Sequence, residues 1–277
     1  MKIKIVTDSA SNMLALDGID FESVPLRMVT DEKEYVDTAD LDVEAMVNDL
    51  STYKGRSGTA CPGVGDWLAA FDGYDMIFCI TITSNLSGSY NSAMTAKQQY
   101  EEENPGKQVY VLDSYTAGPE MKLHIEKIRE MVLAGNDYET ISKEIEEYKE
   151  KNTALVFCLE SMRNLANNGR VNPAVATFAS LVGIRVVGDA TGGKLNPNTK
   201  PRGAKKATTE IVANMKKLGY NGGSVYIDHV FNEKAADALK EALVKEYPEV
   251  NVVIDKTRGL CSFYAEKGGL MVGFEMK

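Results

Sequence analysis

Small hydroxyl side chains recur in this chain where an apolar run gives way to a helix-like stretch. Thr7-Asp8-Ser9 closes the run 2–7, Thr83-Ser84-Asn85-Leu86-Ser87-Gly88-Ser89-Tyr90 follows the run 76–82, and Asp113-Ser114 follows 108–112. Between the first two lies Thr59-Ala60-Cys61-Pro62, in a Gly-rich segment. A hydroxyl beside free backbone N–H groups at a helix start hydrogen-bonds a carboxylate or phosphate without a full positive charge, and the helix dipole assists. The chemistry implied is neutral binding of an anion. Taken alone, the Ser84 or Ser87 hydroxyl is equally suited to capping the helix that follows.

Catalytic templates are missing from the same residues. There is no G-x-S-x-G elbow, no G-x-x-x-x-G-K-[ST] loop and no G-x-G-x-x-G opening a helix, so hydrolase, P-loop and dinucleotide chemistry each lack their mechanical core. Cys61 has no basic partner that sequence can assign and reads as a loop cysteine. The two histidines, His124 and His229, are far apart and without nearby cysteines or spaced carboxylates, so no metal site and no cofactor are expected. His124 reads as a packed or surface helical residue, and His229, at the end of a strand, as a turn contact.

The elements that must position these loops follow from periodicity. Runs 2–7, 75–82 and 108–112 are short, apolar and β-rich, each followed by a loop and a helical segment, which is the grammar of a parallel sheet. Loops leaving the carboxyl ends of such strands converge on one crevice. A helix from Asn136 to about Glu150 is expected, with Asn136 and Glu139 as a capping box. A second set of strands is expected at 153–159, 181–187, 224–229 and 251–255, with helices carrying Ile211, Met215 and Leu218, and, after an Asn232 cap, Leu239, Ala242 and Leu243. The stretch 189–202 reads as an exposed polar loop. The expected architecture is two α/β domains, residues 1–157 with a mainly parallel sheet and residues 158–277, with a ligand held between them.

Composition bounds what such a ligand can be. The 277 residues carry 31 Lys plus Arg against 40 Asp plus Glu, a net charge of −9, which opposes binding of nucleic acid and anionic membrane surfaces. No continuous apolar stretch reaches membrane-spanning length and no secretory leader is evident, so a cytoplasmic protein is expected. The four cysteines form no C-x-x-C pair, and Cys79 and Cys158 sit inside apolar runs where simple burial is expected.

The ordered set of T-D-S after the first strand, T-x-x-P near residue 60, Ser84-Asn85-Leu86-Ser87-Gly88-Ser89-Tyr90 before a helix, V-L-D-S, N-G-R and R-G-A-K-K-A resembles the DegV family over nearly the whole chain. The resemblance implies a non-enzymatic protein that encloses a long-chain fatty acid in an apolar tunnel between two α/β domains and presents it to a separate fatty acid kinase. It implies that Thr59 and Ser87 hold the carboxylate, with Ser84 and Gly88 in the same loop, and that Arg170 and Arg202 lie near the head-group end as possible kinase contacts. Two departures stand out. Thr59-Ala60-Cys61-Pro62 replaces T-S-Q-P, and Ser262-Phe263-Tyr264-Ala265 occupies the place of a G-x-H-x-G-P-G segment, so Tyr264 would replace a histidine of the carboxylate network. A phenol still donates to a carboxylate but, with a pKa of about 10, does not titrate near neutrality. Phe178, Leu181 and Phe263 are the expected tunnel-lining candidates. The alternative reading is an enzyme acting on a small carboxylated or phosphorylated metabolite at the same crevice.

Overall fold

The computed structural model describes residues 1–174 and 183–277. Strands β1 (Ile3–Asp8), β2 (Asp20–Val24), β6 (Met76–Thr81) and β7 (Gln108–Asp113) form a sheet in the order β2-β1-β6-β7, and every neighbouring pair is parallel. β6 is buried at all six positions, as a strand with both faces covered must be. One face, carrying Val6, Ile77 and Cys79, packs on Trp67 and Phe71 of α2 (Val64–Phe71) and on Ala93 and Ala96 of α3 (Ser89–Glu103). The other, with Ile5, Phe78 and Ile80, packs on Ile125 of α4 (Pro119–Leu133) and Ile141 of α5 (Tyr138–Lys151). The chain leaves β1 toward β2 and later returns on the opposite side through β6, so the order reverses at β1. The loops after β1 and β6 therefore open beside each other, at the point where such sheets bind ligands.

A small antiparallel sheet, β3 (Arg27–Thr30) flanked by β4 (Glu34–Val36) and β5 (Ser57–Ala60), follows the first crossover and carries Thr59. Near it stands α1 (Val43–Thr52). The sequence signal for this sheet is weak because its strands are only three or four residues long.

The second large sheet has the order β10-β9-β8-β13-β11-β12, from β8 (Thr153–Leu159), β9 (Val186–Asp189), β10 (Asn196–Thr199), β11 (Val225–His229), β12 (Val252–Lys256) and β13 (Leu270–Glu275). All of its pairs are antiparallel except β11 with β12. β8 alternates cleanly. Val156 and Cys158 face a core built with α7 (Ala204–Lys217) and α8 (Glu233–Glu246), while Leu155, Phe157 and Leu159 face the first sheet's side. The expected parting of the chain after residue 157 falls inside this strand.

Several local expectations shift. Of the expected strand at 181–187, residues 181–182 lie outside the described residues and β9 begins at Val186. Within 189–202 lies an edge strand rather than loop alone, compatible with Pro197 because an edge position tolerates a missing donor. α5 is capped by Asp137, whose carboxylate accepts from Thr140 N at 2.8 Å, so the box from Asn136 to Glu139 does not form. Asn232 stands at the cap position of α8, but its side chain donates to Gly268 O at 2.7 Å instead. β13, unanticipated, lies in the middle of its sheet, and its Gly273 permits α4 to cross closely: a Cβ there would sit 2.4 Å from Glu120 N. His229 Nδ1 accepts from Asn232 N at 3.1 Å, a turn contact. His124 is fully buried, its Nε2 is 2.9 Å from Thr153 Oγ1, and burial pushes its pKa down to about 3, so the ring is neutral. Among the described residues no helix is long and apolar enough to cross a membrane.

α4 lies between the two large sheets and is fastened by charge. Lys122 Nζ donates to Asp228 Oδ1 at 2.7 Å and to Asp255 Oδ2 at 2.8 Å, and the other Asp228 oxygen accepts from Asn12 Nδ2 at 2.6 Å. Asn12 Oδ1 in turn accepts from Arg258 N at 2.8 Å, so the turn after β1 is tied to β11 through Asp228 and to the segment after β12 through Arg258. Burial pushes the Asp228 carboxyl up to about 6, against the opposing pull of Lys122. Removing one partner of such a buried pair strands the other. Lys122→Met is therefore expected to lower stability by about 3 kcal/mol, read as a fall in urea midpoint, and Asp228→Asn added to it should recover part of that loss; a single variant as stable as wild type would contradict this role.

Candidate functional site

Between the two large sheets lies a cavity. Its wall is mainly aliphatic: Leu26, Ile82 and Leu86 come from the first sheet's loops, while Leu155, Phe157 and Met271 come from β8 and β13 of the second. Thr59, Ser87, Arg170 and Tyr264 add polar groups to the same wall. Each comes from a different element. Thr59 is on β5, Ser87 in the turn before α3, Arg170 just beyond α6 (Arg163–Asn167), and Tyr264 on the short helix α9 (Gly259–Ala265).

Thr59 Oγ1 and Tyr264 Oη are 2.7 Å apart and either can donate. Since each hydroxyl has one proton and two acceptor sites, the pair shares one proton and leaves the other to point at a guest. Burial raises the Tyr264 pKa above its ordinary value, while Thr59 and Arg170 pull it down. The phenol is thus neutral across the physiological range. Ser87 does not cap α3, whose cap residue is Gly88; its Oγ accepts from Ser89 N at 3.2 Å, and among the described residues no acceptor takes its proton. Arg170 Nε donates to Leu86 O at 3.2 Å, which holds the guanidinium beside the Ser87 turn.

The remaining expected residues lie elsewhere. Ser84 N donates to Asp113 Oδ1 at 3.0 Å, and Ser84 is not among the described residues that line the cavity. Gly88 is also outside the lining. A Cβ on it would lie 3.2 Å from Cys61 Sγ, so its smallness lets the Thr59 strand end approach the Ser87 turn. Arg202 is exposed and away from the wall. Phe263 is buried and packs edge-on against Tyr264, 4.9 Å between ring centroids, but it faces the first sheet's core rather than the cavity. Phe178 and Leu181 lie outside the described residues.

Buried carboxylates hold these loops in place. Asp8 Oδ2 accepts from Ile82 N at 2.9 Å and Ser89 Oγ at 2.6 Å, and Oδ1 accepts from Ala10 N at 3.2 Å, so one side chain ties the end of β1 to the loop after β6 and to α3. Asp37 accepts from Gly259 N at 2.8 Å and Leu260 N at 2.9 Å, fixing the start of the helix that carries Tyr264. The second unit also grips the loop after β6: Thr83 Oγ1 donates to Gly193 O at 3.0 Å and Asn85 Nδ2 to Gly192 O at 3.1 Å. Sequence reasoning missed Asp37 and the pair Gly192-Gly193. Both lie in unpatterned loops, though the positive φ positions of the two glycines leave the G-G dipeptide as a signal. Among the described residues no group of three or more His, Cys, Asp or Glu side chains could hold a metal ion.

The fold is shared with known proteins. A family model described as DegV family matches residues 2–277. A DegV domain-containing protein of Streptococcus gordonii is 38% identical over 282 residues, covering 100% of both chains. Among solved structures, a DegV family protein from Eubacterium eligens loaded with heptadecanoic acid superimposes with a TM-score of 0.97 at 42% identity, over 99% of this chain and 100% of that one. The Streptococcus pneumoniae fatty acid kinase (Fak) B3 protein loaded with linoleic acid gives a TM-score of 0.97 at 38% identity, with both chains fully covered.

Asp8 allows the loop anchorage to be checked. Burial pushes its carboxyl up from 3.8 to about 6, against the pull of its three hydrogen bonds. Between about pH 4 and pH 6 the folded protein then holds a proton that the unfolded chain has released, so the stability this group contributes is full below about pH 4 and is lost as pH rises through about 6. In urea unfolding, Asp8→Asn is expected to show a smaller drop in midpoint between acid and neutral pH than wild type does. An equal drop in both would show that Asp8 does not titrate in this way.

Proposed function

Because the chain belongs to the DegV family along its whole length, we propose that it binds a long-chain fatty acid in the cavity between its two sheets and hands it to a separate fatty acid kinase, performing no chemistry itself. The observation that carries this reading is an aliphatic cavity whose wall brings together the Thr59, Ser87 and Tyr264 hydroxyls. Support comes from two solved relatives that hold fatty acids within nearly the same fold. In this reading the first unit runs through Asn152, where α5 hands over to β8, and the acyl chain lies across the junction.

The energetics divide between the two ends of the guest. Burying methylenes is favourable by about 0.8 kcal/mol each, so a chain of about sixteen carbons offers on the order of 10 kcal/mol before ordering costs. A carboxylate taken into the same apolar space costs several kcal/mol unless donors meet it. Thr59, Ser87 and Tyr264 are those donors, and Arg170 adds charge beside the turn. In this reading Arg202, exposed on the surface, contacts the kinase together with Arg170, and the protein works in the cytoplasm, where ATP is at hand. The rival reading, an enzyme acting on a small carboxylated or phosphorylated metabolite, needs a base within reach of a bound anion, and neither His124 nor His229 lines the cavity.

Native mass spectrometry of the purified protein is expected to show one co-purified fatty acid per chain. Ser87→Ala and Thr59→Ala should each weaken a free fatty acid by about 1.5–3 kcal/mol, the usual worth of a hydrogen bond to a charged group, and weaken its methyl ester much less. Absence of any bound or titratable lipid would sink the proposal, and equal losses for acid and ester would confine these hydroxyls to a role in folding.

A further inference from the structure

A second cavity adjoins the first. Tyr115, Leu155 and Ala190 line both, so these three residues form the partition. The chambers differ in chemistry. The first is walled mainly by aliphatic side chains, whereas the second is mixed, with Ser114, Glu120, Lys149 and Thr153 beside Ala154, Leu218 and Met276. Glu120 and Lys149 are 6% and 8% exposed, and Glu120 accepts from Thr153 Oγ1 at 2.8 Å.

Tyr115 is unusual within that partition. It is 45% exposed, and its backbone has φ 53, in the left-handed region that a bulky side chain seldom adopts. Its N–H donates to Asp113 Oδ1 at 3.3 Å, and Lys149 Nζ lies over its ring, 4.6 Å from the centroid. Lys149 is itself anchored to Asp113 O and Glu146. A ring held in place by a cation and a constrained turn makes a firm wall, where an exposed loop side chain would otherwise move freely.

We propose that Tyr115 is a specificity-determining residue that closes the acyl cavity against the polar chamber and so sets the longest fatty acid the protein accepts. The inference rests on the fatty-acid reading above. Its physical basis is a mismatch across the partition: a methyl-ended chain that grew past Tyr115 would press on the Lys149 ammonium and the Glu120 carboxyl, groups already held by Asp113 O, Glu146 and Thr153, and would offer them no hydrogen bond. While the ring stands, added methylenes have no apolar space to enter. Ala190 in the same partition has no side chain that could replace the ring. Removing the ring would leave Leu155 and Ala190 alone between the chambers and open room beside them for additional carbons.

The test measures relative affinities of straight-chain acids of increasing length, by competition against a fluorescent fatty acid, for the full chain and three variants. Tyr115→Ala removes the ring, Tyr115→Asn removes it with a residue that tolerates the left-handed conformation, and Tyr115→Phe keeps it. Both small replacements are expected to shift the ratio of longer to shorter acids at least tenfold toward the longer, with Tyr115→Phe matching wild type. Unchanged ratios in Tyr115→Ala and Tyr115→Asn would overturn the proposal even though fatty acid still binds. A shift of the same size in Tyr115→Phe would also overturn it, since the hydroxyl rather than the ring would then be at work. Failure of wild type to bind any of the acids is a different outcome and would remove the reading beneath it.

Discussion

An ion withdrawn from water needs a counterpart within a few ångströms, and the arrangement of this molecule around α4 follows from that need at Lys122. Its ammonium is almost wholly buried, so it must meet Asp228 and Asp255 on two adjacent strands of the second sheet, while the free oxygen of Asp228 reaches Asn12 in the turn after β1. One connected set of polar atoms thereby fixes the distance and register between the two large sheets. The cavity is what remains between them on the side where the strands' inward residues are aliphatic. Its volume is thus a consequence of where the charges meet.

The site itself runs on a different economy of charge. Ser87 and the hydrogen-bonded pair Thr59–Tyr264 offer protons without a formal charge, and the buried carboxylates nearby, Asp8 and Asp37, face away into backbone N–H groups and the Ser89 hydroxyl rather than into the cavity. Two acids therefore act as struts for loops whose outward task is to receive a third acid. Separation is essential, since an unpaired carboxylate on the cavity wall would repel an anionic guest with little solvent to screen it.

The parallel sheet and its loops were legible because β6 is apolar at nearly every position and the following turn is rich in hydroxyls, a local pattern that survives without tertiary information. The strand at Thr153–Leu159 was legible for the same reason. What escaped was set by contacts distant in sequence. β13 contains a glycine that weakens any strand reading, yet Gly273 is demanded by the passage of α4 over it. Phe263 reads as an obvious lining residue, but consecutive side chains on a helix point about 100° apart, so Tyr264 borders the cavity while Phe263 turns into the core. Ser84 and Gly88 belong to the right loop, and only coordinates separate a residue that shapes a turn from one that borders the space beside it. Asp37 is one of three acids in its loop, with Asp40 and Asp42, and its value appears only when Gly259 and Leu260 arrive from the far end of the chain.

β8 serves two masters on alternate residues. Val156 and Cys158 are committed to the packing that keeps the second sheet folded, whereas Leu155, Phe157 and Leu159 border open volume. Because a strand's pleat sends neighbours to opposite sides, the odd-numbered set is free to drift in size while the even-numbered set stays under structural constraint. Relatives of this fold can therefore diversify the shape of the hollow within a single strand, at little risk to the scaffold that surrounds it.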